Sequence, residues 1–372
     1  MKKALSIYIH IPFCVRKCAY CDFLSAPATR EVQEQYLHML MREIQERAAR
    51  YAKEYVVKTI FIGGGTPTSV DANLLCQVLD TVKSRFKVSD DAEISMECNP
   101  GTADKAALKK YRQAGVNRLS IGLQSTQNHL LQKLGRIHSF EQFLDTYQGA
   151  REAGFTNINI DLMSALPGQT LADYEQTLRE VLALKPEHIS AYSLIVEEGT
   201  PFYEMELDLP DEDTERMMYE MTEKLLSEKG YERYEISNYA GKGLECKHNQ
   251  AYWERGEYLG MGLGASSFIK EVRLRNNGNL QTYLQGDFSY EEELILTRRE
   301  AMEEFFFLGL RQMKGVSLIE FAEGFGEDTI AWFYEAIDQN IRDGLLVQEG
   351  GLLRLTKKGI DVSNLVFERF LE

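Results

Sequence analysis

Cys14, Cys18 and Cys21 fall within eight residues in the pattern Cys-x-x-x-Cys-x-x-Cys. Thiolates are the natural ligands of iron–sulfur clusters, and a four-iron cluster uses four of them when fully ligated. Three on one loop leave one iron without a protein ligand, and an open iron can bind a substrate or cofactor. Structural zinc prefers four closed ligands in two pairs. His10 would complete a Cys3His zinc site, but no second pair follows the first.

Other residue types suited to ligand binding are spread downstream. Gly63-Gly64-Gly65-Thr66-Pro67 follows an apolar run, and glycine lets backbone approach a ligand closely. Glu97, in Met96-Glu97-Cys98-Asn99-Pro100, suits ribose hydroxyls or an ammonium group. Gln124, Arg136 and Asp161 lie in Ile121-Gly122-Leu123-Gln124, Leu134-Gly135-Arg136 and Asn159-Ile160-Asp161. Taken singly, each equally fits a solvated or packed polar residue. Tyr8 equally fits a half-buried strand tyrosine. Lys247-His248-Asn249-Gln250-Ala251-Tyr252-Trp253 sets an imidazole beside two large aromatics. Imidazole is a common axial ligand of haem iron, and aromatic faces suit a flat macrocycle. A packed, hydrogen-bonded histidine is the plainer alternative, and Cys246 is a rival ligand.

The elements that must position these residues follow from periodicity. Strand-like runs cover residues 4–12, 56–62, 93–98, 118–123, 157–166 and 188–195, with amphipathic helices at 32–53, 72–86, 103–114, 140–153 and 172–184. Alternation of this kind implies an α/β fold with a parallel sheet and right-handed crossovers. A barrel, or part of one, places its chemistry on the loops after the strands, where nearly all the residues named above fall. Residues 1–207 are therefore read as the barrel core. Residues 208–296 are read as a linker helix followed by a region rich in glycine and aromatics. Residues 297–372 read as helices, a hairpin at Glu349-Gly350-Gly351 and a last helix, the order of a winged-helix module. Gly260-Met261-Gly262-Leu263-Gly264-Ala265 fits the dinucleotide pattern by letter only, and is read as a close-packed loop at the barrel rim.

The chain has 372 residues and a net charge of −15, from 42 Lys+Arg against 57 Asp+Glu. That disfavours nucleic acid as a partner, because such binding needs clustered cations. Crowded cysteines point to metal ligation in a reducing compartment. No apolar run reaches the roughly 18–20 residues of a membrane span. His10, Arg16 and Lys17 interrupt the apolar N-terminal stretch, so a signal peptide is not expected and the location expected is cytoplasmic.

The cysteine pattern after a first strand resembles the radical SAM superfamily. That resemblance implies a partial (β/α)6 TIM-like barrel, a 4Fe–4S cluster on Cys14, Cys18 and Cys21, and S-adenosylmethionine (SAM) on the open iron. In that superfamily the reduced cluster cleaves SAM to a 5′-deoxyadenosyl radical. By match to SAM-contacting positions, it implies roles for Tyr8, Gly64, Gly65, Thr66, Glu97, Gln124, Arg136 and Asp161.

Tyr8-Ile9-His10-Ile11-Pro12-Phe13-Cys14 is similar to the branch that holds the oxygen-independent coproporphyrinogen III oxidases and the HemW-type haem chaperones, over nearly the whole chain. The oxidases carry a fourth cysteine two residues past the third, and a long extension before the cluster loop. Here Phe23 takes the fourth position, and 13 residues precede Cys14. The 248–253 segment resembles the His-Asn-x-x-Tyr-Trp motif of the chaperones. The resemblance thus implies a haem chaperone, with His248 at the haem, rather than a decarboxylating oxidase. Its partners would be haem and haem-accepting proteins, membrane respiratory enzymes among them. Peripheral membrane attachment and a homodimer are left open.

Overall fold

The computed structural model describes residues 2–371. Six parallel strands form its centre: β1 (Lys3–Ile11), β2 (Tyr55–Gly64), β3 (Val88–Cys98), β4 (Arg118–Gln124), β5 (Ile158–Ser164) and β6 (His188–Ser193). They pair in sequence order, each parallel to the next. Their runs are apolar on successive residues because helices cover one face while the other lines the interior. Ile7, Ile9, Ile60, Ile62, Leu119, Ile121 and Ile160 are all fully buried or nearly so.

The covering helices are Arg30–Tyr51, Ala72–Arg85, Lys105–Ala114, Phe140–Glu152 and Leu171–Leu184. Each starts where the sequence supplies a side-chain acceptor. Thr29, Asp71, Asp104, Ser139 and Thr170 accept hydrogen bonds from first-turn amides, which satisfies donors the helix itself cannot. Observed strands and helices fall within a few residues of the expected ranges, apart from the start of β3. The short helix Asn128–Lys133 was not expected.

The chain after residue 208 extends this sheet at both ends. β7 (Glu232–Arg233) and β8 (Asn238–Ala240) add antiparallel beyond β6. β9 (Tyr258–Met261) runs parallel to β1, followed by the antiparallel β10 (Ser266–Ile269), β11 (Val272–Asn276) and β12 (Tyr290–Ile295). The twelve-stranded sheet has β12 and β7 as its edges and does not close. Gly260 was expected in a loop and lies instead in β9, opposite Tyr8. A Cβ there would stand 2.1 Å from the Ser266 carbonyl oxygen, so close packing accounts for the glycine.

A buried ion pair ties this extension to the first helix. Glu43 accepts from the Gly262 amide, Asn276 and the Tyr283 hydroxyl, each at 2.8 Å. Arg47, 3.3 Å from Glu43, also donates to the Asn276 side chain and the Phe288 carbonyl.

Residues from 298 onward run helix (Arg298–Gly309), β13 (Val316–Ser317), helix (Leu318–Phe325), a 3-10 turn, helix (Tyr334–Arg342) and the hairpin β14 (Leu346–Glu349) and β15 (Leu352–Leu355). This is the winged-helix order, with a short strand and a 3-10 turn that periodicity alone had not separated. Its core is aromatic: the Phe306 ring lies 4.7–5.0 Å from those of Phe321, Phe333 and Phe370. Gly350 and Gly351 take φ of +59° and +83°, as a tight two-residue hairpin turn demands.

Candidate functional site

The loop after β1 carries the three cysteines and is fastened at several points. Cys14 N–H donates to the Ala26 carbonyl at 3.2 Å, and Ala26 N–H donates to that of Pro12 at 3.0 Å. Ala19 N–H reaches the Leu134 carbonyl at 3.0 Å. All three thiols are free, half-exposed, and line a cavity of about 920 Å³ at the C-terminal ends of the strands. Tyr8, Gly64, Gly65, Thr66, Glu97, Gln124, Arg136, Asp161 and His248 line the same cavity, whereas Cys246 does not.

The glycine-rich turn is shaped by its neighbours. A Cβ on Gly65 would stand 2.6 Å from the Phe13 carbonyl oxygen and 3.0 Å from Cys14 Sγ. Gly64 has φ of +116°, and a Cβ there would meet the His10 ring at 2.5 Å. The turn therefore presses directly on the cysteine loop, which only glycine permits.

His10 itself is committed. Its Nε2 lies 2.9 Å from the Leu24 carbonyl, so Nε2 carries the proton. Its Nδ1 then accepts from the Tyr8 hydroxyl at 3.0 Å. Burial lowers the imidazole pKa, which keeps it neutral. Neither nitrogen is left to complete a Cys3His zinc site. Among the described residues no three His, Cys, Asp or Glu side chains converge as ligands of a single ion.

Arg136 follows Gly135, which has φ of +75°, and its side chain is held inside the site. Its Nη2 donates to Gly122 O at 2.6 Å and Asn99 Oδ1 at 2.9 Å, while Nη1 lies 3.9 Å from Cys18 Sγ. Asn99 Nδ2 donates to Thr66 Oγ1 at 2.7 Å, and that hydroxyl donates to Cys14 Sγ at 3.5 Å. One hydrogen-bonded path thus joins two of the three sulfurs. Arg136 Nε is buried without a hydrogen-bond partner among the described residues.

Glu97 accepts from the Gly64 amide at 3.0 Å. Burial, and then the nearby Asp161 charge, push its carboxyl up to about 8 against that hydrogen bond. Asp161 is also raised by burial, opposed by Asn159, which donates at 2.7 Å. A cationic ligand entering here would favour ionisation of both. Gln124 holds φ of +71°, a strained conformation for a residue with a Cβ and one that clusters at functional sites. Its Oε1 accepts from the Tyr192 hydroxyl at 3.0 Å.

The helix Lys247–Trp253 closes one side of the cavity. Glu93 on β3 anchors its start, accepting from Lys247 N–H at 3.0 Å and His248 N–H at 3.2 Å. Both ring nitrogens of His248 are engaged, Nδ1 with the Thr59 hydroxyl and Nε2 with that of Tyr252, each at 2.8 Å. Burial lowers its pKa to about 3, so the ring is neutral. Aromatic contacts continue the wall: Phe61 to His248 at 5.2 Å, and Tyr252 to Tyr258 at 4.7 Å. Cys246 is fully buried, with its thiol pushed up to about 12 by burial, and it donates to Glu93 at 3.5 Å. It is no competitor for a ligand in the cavity.

Asn99 and Tyr192 escaped the sequence reading. Asn99-Pro100 directly after a strand was a usable signal, whereas nothing in the sequence marked Tyr192.

A glycine-rich turn packed against a three-cysteine loop, at the open end of a parallel β/α sheet, defines a radical SAM protein. Residues 8–181 match the Radical SAM superfamily, and residues 296–362 match the HemN C-terminal domain. The chain is 39% identical to "Heme chaperone HemW" of Bacillus subtilis, covering 98% of this chain and 99% of that one. It is 36% identical to "Heme chaperone HemW" of Escherichia coli, covering 99% and 98%. In structure it resembles coproporphyrinogen III oxidase (HemN) of Escherichia coli, a radical SAM enzyme. That match has a TM-score of 0.88 at 25% identity and covers 99% of this chain and 90% of that one. The chain belongs to the HemW family of the radical SAM superfamily.

Proposed function

We propose that the protein is a haem chaperone that also holds a 4Fe–4S cluster and SAM. The observation carrying this reading is the near full-length likeness to proteins named heme chaperones, joined to a cavity lined by the three cysteines, the glycine-rich turn and His248. Cys14, Cys18 and Cys21 bind three irons. The iron left without a thiolate would be open to SAM, and the chemistry such a cluster would supply when reduced is SAM cleavage. Tyr8, Gly64, Gly65, Thr66, Glu97, Gln124, Arg136 and Asp161 hold SAM. The closeness of the Gly65 turn to Cys14 Sγ and the approach of Arg136 Nη1 to Cys18 Sγ at 3.9 Å support that assignment. Residues 1–207 form the SAM unit, 208–296 bring the haem-facing wall and 297–372 dock partners; a separate aromatic core after residue 302 supports the last division.

Haem sits against the Lys247–Trp253 wall and passes to haem-requiring proteins, membrane respiratory enzymes among them, from a cytoplasmic or peripheral location. No helix among the described residues is long and apolar enough to cross a membrane. Ligation of haem iron by His248 requires Nε2 to exchange the Tyr252 hydroxyl for the metal. Haem titration should give a Soret shift in the native chain, weakened in His248→Ala if that exchange occurs. A native chain with no Soret change would contradict haem binding.

The structural likeness to the oxidase favours a second reading, decarboxylation of coproporphyrinogen III. Phe23 stands where the oxidases have a fourth cysteine and is 57% exposed. Incubation with coproporphyrinogen III, SAM and reductant should therefore yield no protoporphyrinogen. Multiple turnover would overturn the chaperone assignment.

A further inference from the structure

We propose that Arg275 on β11, together with Arg16 of the cysteine loop, binds the carboxylates of the haem at the cavity mouth. This rests on the haem-binding reading above and adds to it how the macrocycle is oriented.

The chain carries a net charge of −15, yet its cavity is lined by six cations against two carboxylates. The cations are Arg16, Lys17, Arg118, Arg136, Arg273 and Arg275; the carboxylates are Glu97 and Asp161. A local excess of that sign within an acidic protein favours an anionic ligand.

Most of these cations are already occupied. Arg136 serves Asn99 and Gly122. Arg118 is buried beside Glu93 and Cys246. Arg273 is paired with Glu304 at 2.6 Å, and its guanidinium lies over the Phe268 ring. Lys17 donates to the Phe23 carbonyl at 2.9 Å. Arg16 makes no hydrogen bond or ion pair among the described residues. Arg275 has only Glu292, at 3.5 Å, with both side chains about half exposed or more, a pair that water screens to little worth.

Strand alternation fixes where Arg275 points. Arg273 and Arg275 share one face of β11, the face lining the cavity, while Leu274 between them is buried on the other. Tyr252, Trp253 and Tyr258 line the same cavity. An aromatic wall beside one unpaired and one weakly paired guanidinium group matches a flat apolar disc with carboxylates along one edge. Planar guanidinium pairs with carboxylate through two parallel hydrogen bonds.

The test is a spectrophotometric titration of the full chain with haem and, separately, with haem dimethyl ester. The ester keeps iron and ring but has no carboxylate charge. The native chain should bind haem about tenfold tighter than the ester, the worth of a partly exposed charge-assisted pair. Added salt should narrow that gap. Arg275→Glu and Arg16→Glu should weaken haem and leave the ester unchanged. Equal affinity of the native chain for both ligands would overturn the inference without any variant being needed. If neither ligand bound the native chain, the haem reading would fail first and take the inference with it.

Discussion

Asn99 is where two cysteines come under one arginine. Its amide oxygen takes Arg136 and its amide nitrogen holds Thr66, and these two reach Cys18 and Cys14 respectively. Hydrogen bonding to sulfur is one of the levers on cluster potential. Asn99→Ala should lower the midpoint potential of the reconstituted cluster, because donors near sulfur favour the more negative reduced state. It should also cost about 1–3 kcal/mol of stability by leaving buried partners unmet. An EPR-monitored redox titration reads the first effect, and an unchanged potential would remove Asn99 from this role.

Glu97 gives a pH signature. Its carboxyl is raised to about 8 by burial and then by Asp161, so the folded chain holds a proton that the unfolded chain loses near pH 4.5. The stability from this group is complete below about pH 4.5. It falls as pH rises and is fully lost above about pH 8. Glu97→Gln should therefore match the native cluster-free chain at pH 4 and exceed it at pH 9 in urea unfolding. A difference independent of pH would contradict the assignment.

At the scale of elements, the helix Lys247–Trp253 is pinned from two neighbouring strands. Glu93 of β3 receives its first amides and Thr59 of β2 receives the His248 ring. Glu93→Ala leaves those amides and the Cys246 thiol without an acceptor. It should cost about 1–3 kcal/mol and speed hydrogen exchange in residues 247–253 more than in β4 or β5. Uniform acceleration would show that the helix is not held as a separate unit.

Much of this arrangement was legible in the sequence. The central strands alternate with helices whose capping residues announce their starts, and the ligand residues fall mostly where strands end. The wall was harder to read. Nothing in the sequence marks Glu93, because the amides it anchors lie more than 150 residues away. The sequence marks His248 by its aromatic neighbours, but not its hydrogen bonds to Thr59, which is 189 residues away, and to Tyr252. Gly260 read as loop because β9 has four residues and is fixed by pairing with β1, a contact between distant segments.

For the whole molecule, what matters is that one sheet carries both the cysteine loop and the wall facing it. β1 lies between β2 and β9, so the cluster loop sits between the glycine-rich turn and the strands that bear Tyr258 and Arg275. Glu43 and Arg47 lock that second side to the first helix, and removing one partner of such a buried pair costs about 3–5 kcal/mol. The central claim is that three thiolates leave one iron open to SAM. The direct test is EPR of the anaerobically reconstituted, dithionite-reduced chain before and after SAM is added. The account expects iron and sulfide near about four per chain and a reduced-cluster signal whose shape changes with SAM. It also expects both to be lost when Cys14, Cys18 and Cys21 are replaced by alanine. A colourless protein holding a single zinc ion, or a cluster signal indifferent to SAM, would contradict it.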